Sequence, residues 1–349
     1  MAGFVGVHLG AGSHSCNLQE KKEQLCRKAC RKGIDILMNE GTSLDAVAAV
    51  TQILENSALT NAGYGSNLTL DGRVECDASV MDGSNLQFGA CGAVTRVKNP
   101  VLLAQTLCKK QLEPLSLGRM QPCLLVGPGA SEWASSNGLP LIDENALISE
   151  RALKQYNHYK KRIEKYNIRL TQGDVRMDTV GSICIDKYGH IAASSSSGGI
   201  ALKPPGRVGQ AAIFGGGCWA EDGQRENGIP GVAVSTSGCG EHIIKTFLAK
   251  ESARALQSTN CPTAAIYKTI NDCFLKSPFL HDVTDKLCGV IALQDRMEGA
   301  GVEFLWAHTT NSICVGYMST KHSKPHTRIS RLASGRTQGS SIVVEGVYC

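Results

Sequence analysis

The chain has 349 residues, of which 42% are hydrophobic and 19% are charged, proportions typical of a globular protein. No apolar run approaches the ~18 residues of a membrane span, so the sequence argues against an integral membrane protein and predicts no membrane partner. A net charge of +5 does not indicate nucleic acid by itself, and the 15 cysteines include no C-x-x-C pair, so we expect free thiols, no zinc site and no nucleic-acid partner.

The N-terminal half is predicted to begin with a short strand, 4–8, that ends in the turn Gly10-Ala11-Gly12. A long charged helix follows over about 18–39, and Thr42 or Ser43 caps a second helix that ends near residue 54. Two Asp-Gly pairs between apolar runs then predict hairpin turns. The strands that these turns join are expected at 67–70, 74–81 and 88–94.

Residues 149–178 differ from their surroundings because they are polar and charged and contain few core-forming side chains. We interpret them as an exposed, partly helical connector. Its basic residues allow two readings, a solvated helix face or linker and a nuclear-import signal. These residues are Lys154, Lys160, Lys161, Arg162, Lys165 and Arg169.

The pattern changes sharply after the connector. Residues 179–185 predict a strand, 186–189 a turn and 190–196 the returning strand. The bond between Asp178 and Thr179 therefore joins an exposed connector to a buried hairpin, which makes it a natural processing point.

The remainder of the chain continues with alternating strands and helices. Strands are predicted at 211–214, 232–236, 290–294, 302–308 and 313–318, and helices at 241–256 and 263–275. Two groups of strands, each with paired helices, predict a layered α/β protein with sheets inside and helices outside.

Thr179 is a candidate nucleophile. A threonine hydroxyl needs a base, and a free α-amine with a pKa near ~8 can be that base only at a chain terminus. Cleavage before Thr179 would supply such an amine. An Asp-Thr pair alone, however, is equally consistent with an ordinary strand threonine.

Three further segments favour chemistry at Thr179. Ser197 ends the strand that pairs with the Thr179 strand, and Arg207 lies in a glycine loop where it could bind a carboxylate with two hydrogen bonds. Ser237 and Gly238 lead into a helix N-terminus whose backbone amides suit an oxyanion. Taken singly, each is also explained by a serine-rich loop, a surface arginine or a helix cap.

Together these motifs resemble the N-terminal-threonine asparaginase superfamily over nearly the whole chain. The matching segments are His8-Leu9-Gly10-Ala11-Gly12, Asn61-Ala62-Gly63-Tyr64-Gly65, 77–83, 178–181, Ser197-Gly198-Gly199, 206–209 and 237–241. Within the superfamily the chain is most similar to the threonine aspartases (taspases). Asp178 precedes the nucleophile where asparaginases carry glycine, and Gln210 replaces an aspartate that binds the α-ammonium of their substrate.

The resemblance implies a four-layer αββα sandwich of the N-terminal-nucleophile hydrolase type, formed by one domain over 1–349. Self-cleavage would give an alpha subunit, 1–178, and a beta subunit, 179–349, paired as a homodimer or an alpha2beta2 heterotetramer. It also implies that Ser197 orients Thr179, that Ser237 and the Gly238 amide stabilise the oxyanion, and that no cofactor or metal is needed.

The function implied by this resemblance is a threonine endopeptidase. Arg207 would hold an internal aspartate before the scissile bond, and Gln210 would suit a substrate without a free α-ammonium. The partners would be nuclear regulatory proteins such as trithorax-type chromatin regulators and the precursor of general transcription factor IIA, with the enzyme in nucleus and cytoplasm. The alternatives are an isoaspartyl peptidase/L-asparaginase of the same fold and a non-catalytic binding protein.

Overall fold

The computed structural model describes residues 2–166, 178–296 and 301–349, and within these ranges the chain forms thirteen strands and eight α-helices. The strands β1–β13 are, in chain order, Phe4–Gly12, Cys76–Asp82, Gln87–Val94, Leu124–Val126, Val180–Ile185, Ile191–Ser197, Cys218–Glu221, Val232–Gly238, Cys288–Arg296, Gly301–His308, Ser312–Ser319, His326–Arg331 and Val343–Tyr348. The helices α1–α8 are Gln19–Met38, Ser43–Glu55, Pro100–Lys110, Gly127–Ser136, Glu150–Tyr166, Gly240–Thr246, Leu248–Gln257 and Pro262–Thr269.

The first two helices form where the sequence predicts them. Helix α1 buries one stripe of small and apolar side chains, spaced three or four residues apart from Cys26 to Leu37, which is the pattern of a helix packed on one face. The Thr42 hydroxyl accepts a hydrogen bond from the Asp45 amide and caps α2, which confirms the predicted N-terminus of that helix.

In the described residues, one sheet has eight strands in the order β12-β11-β1-β5-β6-β2-β3-β4. Strand β1 lies near its centre and is buried on both faces, so its apolar residues are continuous. The predicted hairpin at 179–196 is confirmed, because β5 pairs with β6 and Val180 lies opposite Ser196.

The other sheet of the described chain has five strands in the order β13-β10-β9-β8-β7 and packs face to face against the first. Helices α1, α2 and α3 cover the outer face of the larger sheet, and α7 and α8 cover the outer face of the smaller one. One buried apolar cluster fills the space between the sheets, and a second lies beneath α1–α3. The predicted αββα sandwich is therefore confirmed.

Four predicted elements are wrong in detail. The predicted turn 10–12 is the end of β1, and the predicted strand 67–70 forms only isolated bridges at Leu68 and Thr69. The apolar residues 211–214 are not a strand, because Gln210–Ala212 forms a 3-10 turn packed against β2 and β6. The predicted helix 241–256 is two helices, since Phe247 adopts a left-handed conformation with φ of 46° between α6 and α7.

The sequence also predicted a partly helical connector at 149–178 and free cysteine thiols. Residues 150–166 form helix α5, as expected for a partly helical connector, whereas Arg169 lies outside the described residues. All 15 cysteines are free thiols, as predicted. Among the described residues, no helix is both long enough and apolar enough to cross a membrane.

Candidate active site

Thr179 lies immediately before β5 and is almost completely buried, with 2% of its surface exposed. Its Oγ1 donates a hydrogen bond to Ser197 Oγ at 3.1 Å. The same oxygen accepts a hydrogen bond from Gln210 Nε2 at 2.8 Å. The hydroxyl is thus held by one acceptor and one donor, which fixes the direction of its proton and of its lone pairs.

Ser197 reaches Thr179 because β5 and β6 are antiparallel neighbours that bring the start of one strand to the end of the other. Its Oγ also accepts a hydrogen bond from the Gly199 amide at 3.0 Å. With two donors on its oxygen, the Ser197 hydroxyl has a fixed position from which it can orient Thr179. The structure thus brings the predicted orienting residue to the predicted nucleophile.

Arg207 lies close to this pair, but its guanidinium binds Glu241. Its Nε and Nη2 donate hydrogen bonds to the two carboxylate oxygens of Glu241 at 2.9 and 2.8 Å. Partial burial raises the pKa of the Glu241 carboxyl, but the guanidinium outweighs this effect and holds the pKa below its usual range. One edge of the fork is therefore occupied. Among the described residues Nη1 has no hydrogen-bond acceptor, so the end formed by Nη1 and Nη2 could bind a second carboxylate.

Arg207 and Gln210 converge on the same point. A Cβ atom added to Gly240 would lie 2.7 Å from Arg207 Nη2 and 2.8 Å from Gln210 Oε1. Only glycine leaves room for both side chains at this position. Arg207 therefore lies beside the residue that hydrogen-bonds the nucleophile, in the place where it could bind the carboxylate of a substrate.

Asp178, the residue before the nucleophile, is buried against the last residues of β1. A Cβ atom on Gly10, which has φ of +100°, would lie 2.6 Å from Asp178 Cα, and one on Gly12 would lie 2.8 Å from Asp178 Oδ1. The two glycines thus allow the chain to pack directly on the backbone of the predicted scissile bond.

Ser237 contacts the same end of β1, since its Oγ accepts a hydrogen bond from the Ala11 amide at 2.9 Å. Gly238 follows it at the end of β8, where φ is +133° and an added Cβ would lie 2.4 Å from the Leu287 carbonyl oxygen. Ser237 is therefore hydrogen-bonded to the segment that contacts Asp178. The oxyanion roles of Ser237 and Gly238 stay predictions.

Comparison with known proteins identifies the family. The family model described as asparaginase matches residues 2–327. The chain belongs to the asparaginase family. It is 36% identical over 247 residues to the isoaspartyl peptidase/L-asparaginase of Mus musculus, covering 70% of each chain. It is 32% identical over 326 residues to that of Danio rerio, covering 93% of this chain and 94% of the relative. It is 34% identical over 268 residues to a plant-type L-asparaginase of Pyrobaculum calidifontis, covering 76% and 83%.

These relatives correct the functional prediction. The chain is a hydrolase of the asparaginase family with the N-terminal-nucleophile fold. The predicted endopeptidase that cuts nuclear regulatory proteins after aspartate is wrong, and the relatives do not support the narrower taspase assignment. The prediction depended on Asp178 and Gln210, with Arg207 as the group that would bind the aspartate of the substrate. Gln210 hydrogen-bonds the nucleophile and Arg207 binds Glu241, so neither residue by itself specifies an internal aspartate.

Two residues of the candidate active site were not predicted from the sequence. Asn61 Nδ2 donates to the Gly199 carbonyl at 2.8 Å, and the Asn61 carbonyl accepts from the Gly198 amide at 2.8 Å, so Asn61 fixes the turn after Ser197. Glu241 orients Arg207. Both residues lie in segments that resemble the family, and that resemblance was the available signal.

His8 on β1 is a buried histidine that contacts β8, since its Nε2 lies 3.0 Å from Ser235 Oγ. Burial lowers the pKa of His8 to about 3, so the imidazole is neutral and packs between the sheets without a charge. Among the described residues, no group of three or more His, Cys, Asp or Glu side chains is arranged to hold a metal ion.

Proposed function

We propose that the protein hydrolyses the amide bond at the side-chain carbonyl of an aspartyl group, in isoaspartyl peptides and in asparagine. The observation that carries the proposal is the buried Thr179 hydroxyl, held between Ser197 and Gln210 with the Arg207 guanidinium beside them. Relatives named isoaspartyl peptidase/L-asparaginase, which cover most of the chain, support the same reaction class.

The first step is self-cleavage. Thr179 Oγ attacks the carbonyl carbon of Asp178, the bond to the Thr179 nitrogen breaks, and the proton of the hydroxyl passes to that nitrogen. Water then hydrolyses the ester between Asp178 and Thr179, which releases the hydroxyl and leaves a free α-amine. The close packing of Gly10 and Gly12 on Asp178 supports this step because it fixes the carbonyl next to the nucleophile.

The second step uses the new amine as the base. It takes the proton of the Thr179 hydroxyl while the oxygen attacks the side-chain carbonyl of the substrate. The carbon–nitrogen bond of the substrate breaks, and the proton passes to the leaving amine or ammonia. Water then attacks the resulting ester, and aspartate, or a peptide that ends in it, is released.

Arg207 and Gln210 recognise different parts of the aspartyl group. The free end of the Arg207 fork binds the α-carboxylate of the substrate, because Glu241 already occupies its other edge. Gln210 is neutral and offers its amide oxygen, rather than a carboxylate, to the α-ammonium. We therefore infer weaker binding of free asparagine than a carboxylate at position 210 would give.

The test is hydrolysis by the purified, self-processed protein of an isoaspartyl dipeptide and of free asparagine, followed by release of the amine product. We expect turnover by the wild type and none by Thr179→Ala. Thr327→Ala is a matched control, because Thr327 lies on the edge strand β12 and bonds only Glu23 among the described residues. Processed wild-type protein that hydrolyses neither compound would contradict the proposal.

A further inference from the structure

Asp77 is a fully buried carboxylate beside the candidate active site that the mechanism does not use. It lies on β2, directly opposite Ser197 on β6. Cross-strand neighbours in this register lie within about 5.5 Å of each other at Cα. Asp77 is therefore the direct cross-strand neighbour of Ser197, the serine that orients the nucleophile.

Two backbone amides satisfy this carboxylate. Asp77 Oδ1 accepts from the Ala93 amide at 2.8 Å, and Oδ2 accepts from the Gly209 amide at 2.9 Å. Asp77 forms no ion pair with another described residue. Burial raises the pKa of its carboxyl, and the charge of the nearby buried Lys203, whose Nζ donates to the Glu75 carbonyl at 2.8 Å, is the largest effect that opposes this rise. Burying a charge is costly, so a carboxylate retained here indicates that its hydrogen bonds are needed.

The bond to Gly209 connects Asp77 with the substrate-binding side chains. Gly209 immediately precedes Gln210, whose amide donates to Thr179 Oγ1 at 2.8 Å. Two residues earlier in the same loop is Arg207, and a Cβ atom on Gly209 would lie 2.8 Å from Arg207 Nη1. The position of the Gly209 backbone therefore sets the position of both side chains.

We propose that Asp77 is a positioning residue that holds the 206–210 loop, and with it Arg207 and Gln210, in register with Thr179. This inference rests on the proposed function, since it assigns Asp77 to the recognition of the same aspartyl substrate. Asp77 does not touch the substrate. It acts through the Gly209 amide, which anchors the loop to the strand next to Ser197.

The test compares Asp77→Ala with Asp82→Ala. Asp82 is a matched control because it ends the same strand and its carboxylate bonds only Ser84 and Asn85 among the described residues. We expect kcat/KM for an isoaspartyl dipeptide to fall about 10- to 100-fold in Asp77→Ala, because a displacement near 1 Å can have this effect. Much of the loss should be a raised KM, since Arg207 binds the substrate before reaction.

Hydrogen exchange measured by mass spectrometry gives a readout that does not depend on turnover. Exchange over 206–212 should become faster in Asp77→Ala and stay unchanged in Asp82→Ala. In the wild type, the Gly209 amide should exchange more slowly than the Gly206 amide, which bonds the half-buried Glu75 carboxylate at 2.8 Å. If Asp77→Ala fails to fold, Asp77→Asn, which keeps the size of the side chain but removes its charge, takes its place in both comparisons with Asp82→Ala.

Two results would overturn the inference. One is a KM for Asp77→Ala within about twofold of wild type with only the folded fraction reduced, as a purely structural role would give. The other is a wild-type Gly209 amide that exchanges as fast as that of Gly206. If wild type and Asp82→Ala hydrolyse no aspartyl substrate, the proposed function fails instead, and the exchange data still decide whether Asp77 holds the loop.

Discussion

Replacing Arg207 by alanine should weaken substrate binding strongly. The guanidinium and Gln210 approach the same point beside Gly240, and only 12% of the Arg207 side chain is exposed. Its removal leaves the α-carboxylate of the substrate without a partner and also leaves Glu241 without its cation. Both changes act in the same direction, because the unpaired Glu241 carboxylate then repels the carboxylate of the substrate.

The magnitude follows from the kind of contact. Losing a charge-assisted pair in a desolvated site costs on the order of 2–5 kcal/mol, or about 30- to 5,000-fold in affinity. Because 49% of the Glu241 side chain is exposed, water screens this site, and we expect the lower part of that range. Arg207→Lys should recover little, since an ammonium group cannot bind Glu241 and the substrate as a planar fork does.

The assay measures KM and kcat for an isoaspartyl dipeptide in wild type, Arg207→Ala, Arg207→Lys and Glu241→Ala. Glu241→Ala should raise KM by a smaller factor, roughly three- to tenfold, because the guanidinium loses its orientation but keeps its charge. An Arg207→Ala enzyme with an unchanged KM would refute the carboxylate role of Arg207. A lower KM in Glu241→Ala would show that Glu241 competes with the substrate instead of orienting Arg207.

Three other predictions concern processing, specificity and pH. Purified protein should convert into pieces 1–178 and 179–349, seen by intact mass, and Thr179→Ala should stay whole; the same pieces from Thr179→Ala would implicate an outside protease. Gln210→Asp should lower KM for free asparagine, measured by ammonia release, because a carboxylate can pair with the α-ammonium; an unchanged or higher KM would contradict this role. Burial raises the pKa of Glu55 to about 7, so its contribution to stability is full below pH ~4.5 and is lost as pH rises through 7. Denaturant unfolding should show this fall, on the order of 3 kcal/mol, and Glu55→Gln should remove most of it.

Much of the fold could be predicted because the local signals agree with the tertiary structure. Strand β1 is mostly apolar, a short turn separates the strands β5 and β6, and Thr42 caps a helix with an apolar stripe. The hairpin also placed Ser197 next to Thr179 correctly, since antiparallel pairing determines which residues meet. Processing at Asp178, the dimer or heterotetramer and the nuclear localisation stay predictions.

The errors arise where tertiary contacts override local pattern. Residues 211–214 are apolar enough for a strand, but they lie in and just after the 3-10 turn Gln210–Ala212. The first residue of this turn, Gln210, donates a hydrogen bond to Thr179. No glycine or proline marks the break at Phe247, which adopts its left-handed backbone although half of its surface is exposed. Glu241 could be identified as the start of a helix, but its pairing with Arg207 joins residues 34 positions apart, which spacing does not reveal.

The order of strands in the larger sheet has a mechanical consequence for a chain cut before Thr179. Strand β1 belongs to the first piece but lies between β11 and β5 of the second, and β2 of the first piece pairs with β6 of the second. The two polypeptides are thus interleaved, joined by three ladders of backbone hydrogen bonds and a shared apolar interior. Breaking one covalent bond cannot release either piece, so the nicked protein should migrate as one particle on a native sizing column and separate only in denaturant.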